Sequence, residues 1–110
     1  MISTDSFEKL HLVNHHIDNS NIRIIDNMVR NFFVKNRDLI DGVFSSRTEQ
    51  DPLHYSVVLK RDSIQFRNAV LRFFEVYDLS RYSERYPVYF QFVPPALAHK
   101  LNSLKKINIS

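Results

Sequence analysis

The sequence predicts a small α+β domain, and three features predict it. Two stretches rich in β-branched and aromatic residues, "LHYSVVLK" (53–60) and "YPVYFQFV" (86–93), alternate with period two. Apolar stripes with steps of three and four lie before and between them. The chain of 110 residues fits one core, because two cores would each be too small to stand without staples. The expected order is helix–helix–strand–helix–strand–helix, a small sheet with helices packed on one face. Residues 1–110 read as a single domain, with flexible ends expected at 1–4 and 107–110.

The first helix is expected from Asp5 to about Ile17, with Phe7 and Leu10 at helical spacing. "DNSN" (18–21) reads as a turn whose Asn19 or Ser20 caps a second helix. In that helix Ile22, Ile25, Val29 and Phe32 form one apolar stripe. "RDLIDGVFSS" continues the helix with a bend, or forms a second short one weakened at Gly42. "SSRTEQDP" (45–52) is the longest polar stretch and reads as a loop.

Asp62 and Gln65 fit a capping box ahead of Phe66, Ala69, Val70, Phe73, Phe74 and Tyr77, which give the third helix a wide apolar face. In the second strand Val88, Phe90 and Phe92 are expected in the core. Pro94 and Pro95 end it, and Pro95 suits the first turn of a last helix carrying Leu97, Leu101 and Leu104. Lys105 and Lys106 would complement that helix's dipole. The strand–helix–strand unit is long enough for a parallel crossover. Two strands alone make a poor sheet, so either a further strand lies about 39–44 or a homodimer completes it.

Composition excludes several functions. There is no cysteine, which removes disulfides, thiolate metal sites and cysteine nucleophiles. A single glycine, Gly42, rules out glycine-rich dinucleotide and phosphate loops. The N-terminus shows no secretory signal pattern and no stretch is long and apolar enough for a membrane span, so a cytoplasmic location is expected. Residues 1–55 carry six Lys and Arg against eight Asp and Glu, whereas residues 56–110 carry nine against four. The basic half can face an acidic partner, or simply be solvated.

His11 and His15 have the i,i+4 spacing of a zinc pair, but two histidines make at most half a site, and no cofactor is expected. His54, Lys60, Arg61 and Glu84 could furnish a metal-independent ribonuclease-like site if folding gathered them. No glycine-flanked serine elbow is available to Ser45, Ser46, Ser56, Ser63 or Ser83. The main functional signal is a basic, tyrosine-containing set: Arg67, Arg72, Arg81, Tyr82, Arg85, Tyr86 and Tyr89. Arginine and tyrosine are enriched at protein interfaces, and the same pair contacts phosphates and stacks on bases. The first reading is a non-catalytic regulatory or adaptor protein with a protein partner. The alternative is a nucleic-acid-binding regulator using the same residues, with the ribonuclease third.

Overall fold

The computed structural model describes residues 4–48 and 51–110, with side chains described from Asn19 onward. In chain order the elements are α1 (Thr4–Lys35), a 3₁₀ turn (Arg37–Leu39), β1 (Ile40–Ser45), β2 (His54–Leu59), α2 (Ile64–Asp78), β3 (Tyr89–Val93), a 3₁₀ helix (Pro95–Leu101) and β4 (Lys105–Ile107). The four strands form one mixed sheet in the order β3-β2-β1-β4. The α+β class holds, and the order of elements is corrected in three places.

First, the expected turn at 18–21 is absent, and α1 runs through it. No glycine or proline occurs between Thr4 and Lys35, so nothing obliges the helix to break. The helix stops at Asn36, whose side-chain amide donates to the Phe32 carbonyl at 2.9 Å and satisfies one of the free carbonyls of the last turn.

Second, residues 40–45 form a strand, as the thinness of a two-stranded sheet implied. β1 pairs antiparallel with β2, with an irregularity between Ile40 and Gly42 that leaves Asp41 outside the register. Gly42 is buried, and the Phe44 ring lies 3.3 Å from where its Cβ would stand.

Third, the chain end is a strand. Ile107, expected in a flexible tail, is buried opposite Val43, and Ile109 also packs against the core. Lys105 and Lys106 therefore lie on a strand and cap no helix. Period-two alternation of Ile107 and Ile109 is the signal for it. All four strands come from one chain, so the sheet needs no second copy to be complete.

β2 pairs parallel with β3, as a crossover through α2 requires. Aligned residues share a face of the sheet, so Ile107, Val43, Val57 and Phe92 form one row, and Ser45, Tyr55 and Phe90 the next. This inner face meets α1 and α2. Phe33 packs edge-on against Tyr55, and Phe32 meets Phe66 and Phe73 at 6.0 and 5.0 Å between centroids. On the outer face the 3₁₀ helix lies beside Val58 and Phe44, with Pro95 and Ala98 near them. β2 is thus buried on both sides, from Tyr55 to Val58.

Phe90 joins these layers. Its ring lies 5.1–6.0 Å from those of Phe32, Phe33, Tyr55, Phe73 and Phe74. Aromatic pairs at such distances contribute about 0.5–1.5 kcal/mol each beyond area burial. Phe90→Ala is expected to lower the unfolding free energy by about 3 kcal/mol in urea denaturation. A loss below about 1 kcal/mol would show that α1 and α2 are held independently of this ring.

Candidate functional site

α2 begins one residue later than a capping box at Asp62 would place it. Ser63 is the N-cap, its Oγ accepting from the Phe66 N–H at 3.3 Å. Asp62 instead receives Arg67 at 2.6 Å, an exposed pair worth little stability. Phe66 and Tyr77 point inward, while Ile64 and Leu71 lie two turns apart on an outer side of the helix and are 76% and 61% exposed.

Phe92, expected in the core, is 48% exposed. It is on the inner face, edge-on to Phe66, but β3 is the last strand of the sheet and α2 does not cover it fully. Between them runs a groove of about 400 Å³, walled by Leu59, Phe66, Val70, Leu71 and Phe92, with Asp62 and Arg67 at its rim. That volume falls within the range of ligand and side-chain pockets.

The two edges of the sheet differ. β4 is short and carries Lys105 and Lys106, the usual protection of an exposed edge. β3, "YFQFV", has neither charge nor proline. The Tyr89 N–H donates to the Leu53 carbonyl at 2.9 Å. In a parallel ladder alternate residues address the neighbour, so Tyr89, Gln91 and Val93 face β2. The N–H and C=O of Phe90 and Phe92 are directed away from β2, to the side where no strand pairs among the described residues.

The seven basic and aromatic residues do not make one surface. Tyr86 is buried at 8% exposure; its hydroxyl accepts from the Asn21 side chain at 3.2 Å and its carbonyl accepts from the Tyr77 hydroxyl. Arg81 sits over the Tyr82 ring at 5.1 Å, so these two engage each other. Tyr89 is on the outer face beside His54, whereas Arg67 is on α2 over the inner face. Arg72 and Arg85 are exposed. Only Arg67 of the set borders the groove. The sequence signal for the groove is Leu71, an apolar residue left over from the main stripe of α2.

The catalytic candidates are dispersed or occupied. His54 and Lys60 stand at opposite ends of β2, about 20 Å apart at the usual rise per residue, so His54, Lys60 and Arg61 form no cluster. Glu84 lies in the segment before β3. Ser46 and Ser56 bond each other at 2.6 Å, and Ser83 donates to the Asp78 and Ser80 carbonyls. The side chains of His11 and His15 lie outside the described residues. Among the described residues no three His, Asp or Glu are grouped to hold a metal ion, and no helix is long and apolar enough to cross a membrane. No protein family, curated protein or solved structure matches the chain.

Two tyrosines tie the groove's supports together. The Tyr55 hydroxyl donates to Asp26 at 2.5 Å, and the other oxygen of Asp26 receives Arg30 at 2.7 Å. Burial, and then the Asp26 carboxylate, push the Tyr55 phenol well above its ordinary value. Burial, with Tyr86 and Asp78 beside it, pushes Tyr77 up to about 12. A phenol whose folded value is raised stabilises the fold fully below its unfolded value of about 10, and that stability is lost as pH rises through the folded value. Denaturation followed from pH 8 to pH 12 is expected to show a constant midpoint up to about pH 10 and a fall beyond it. Tyr77→Phe should shrink the fall, and an unchanged fall would remove Tyr77 from the account.

Proposed function

We propose that this chain is a non-catalytic, adaptor-like protein-binding module that takes an extended segment of a partner as an added strand on β3. One observation carries the reading: the sheet has one edge guarded by lysines and one, at β3, with neither charge nor proline. Strand addition supplies affinity through main-chain hydrogen bonds and specificity through pockets for alternate side chains. Phe90 and Phe92 offer the first, and the groove beside Phe92 supports the second. The nucleic-acid reading draws less support, because its arginines and tyrosines are divided between the two sides of the sheet and Tyr86 is buried.

Peptides selected from a random display library on the intact chain test this reading. A selected peptide is expected to slow hydrogen exchange at the Phe90 and Phe92 amides. Phe92→Pro removes an outward N–H without touching the β2 ladder and should weaken binding by about tenfold, one hydrogen bond's worth. Phe92→Ala, which keeps the N–H, serves as the side-chain control and should weaken it less. Selected peptides that bind Phe92→Pro as well as wild type, or that protect other amides, would overturn the proposal.

A further inference from the structure

The groove and its rim also indicate what kind of segment fits, an inference that rests on the strand-addition reading. We infer that the partner is an acidic–apolar segment: an extended run whose large apolar side chain enters the groove beside Phe92, with carboxylates meeting the cationic end of α2.

Lys60 and Arg61, both exposed, form the bend that joins Leu59 to Asp62, two residues that line the groove. Asp62 and Arg67 are tied to each other at 2.6 Å, and their charges cancel locally. The first turn of α2 carries no acidic residue, so the partial positive charge of its N-terminus is not offset within the helix. What remains at this end is net positive: two exposed cations on the bend between two groove residues, and a helix N-terminus.

β3 places a partner in contact with this combination. On an added strand, alternate side chains fall on the inner face, the side to which Phe92 and the groove belong. An apolar residue near Phe92 therefore enters between β3 and α2, covering Leu71 as well as Phe92. Residues beyond the Phe92 end of the strand run toward Lys60 and Arg61, where carboxylates gain and lysines are repelled. The far edge at β4 is also cationic, but there the two lysines stand on the strand itself.

Fluorescence anisotropy on the intact chain tests this with labelled peptides of alternating Val and Thr around a central Leu, carrying a run of Glu at either end. Matched peptides carry Lys or Ser in place of Glu. At low salt one Glu peptide is expected to bind at least about tenfold more tightly than its Lys counterpart, and the gap should shrink as salt screens it. Lys60→Glu with Arg61→Glu, both on the surface, should reverse the preference. Equal binding of Glu, Lys and Ser peptides, with the Phe90 and Phe92 amides protected, would overturn the acidic-partner inference and leave strand addition standing. Preference for Glu with those amides unprotected would overturn strand addition and with it this inference, which rests on it. Binding of a labelled oligouridylate in place of every peptide would overturn both in favour of nucleic acid.

Discussion

The packing of Phe90 is the interaction on which the rest of this structure depends. β3 has one neighbouring strand, and a single parallel pairing is a weak hold on five residues. The strand stays in place because one of its side chains enters a cluster of five aromatic rings drawn from α1, β2 and α2. The same cluster fixes the two helices relative to each other through Phe32 and Phe73. Aromatic side chains bury much area per residue, which is how a chain of this size builds a three-layer arrangement with no disulfide to help it.

The character of the open edge follows from that anchoring. Side chains alternate along a strand, so seating Phe90 inward also turns Phe92 inward, one row nearer the end of the sheet where α2 begins. There the helix does not close over it, and a groove results. The hydrogen-bond parity that aims Tyr89, Gln91 and Val93 at β2 leaves the two phenylalanine peptide groups outward. A backbone edge and a side-chain pocket thus meet at Phe92. An uncharged edge strand is open to pairing with another chain, and it lies at the opposite side of the sheet from the lysine-bearing edge.

Much of this was legible in the sequence, and the failures have physical causes. β2, α2 and the existence of β3 were readable because their stripes are strong, and the parallel crossover followed from the spacing. The break expected at 18–21 was misplaced because Asp, Asn and Ser favour caps without forbidding a helix. β1 was hard to see because Leu39, Ile40, Val43 and Phe44 follow helical spacing and the strand, with Gly42 and Val43 both buried, does not alternate cleanly; only the inadequacy of two strands pointed to it. β4 was hidden by leucine spacing that mimicked a helix through Leu104. For the site, Tyr86 was grouped with its basic and aromatic neighbours by composition, although its position in the alternation is that of Val88 and Phe90, and both Tyr86 and Val88 are buried. Phe92 was placed in the core because parity gives the face of a residue but not its distance from the sheet's edge.

The central claim is that β3 is an edge held by its side chains and open along its backbone. Residue-resolved hydrogen exchange on the free chain tests it most directly. The account predicts alternation: slow exchange at the amides of Gln91 and Val93, which address β2, and fast exchange at Phe90 and Phe92. Uniform protection along 89–93 would contradict it, since it would mean that the edge is already paired or covered in the free protein.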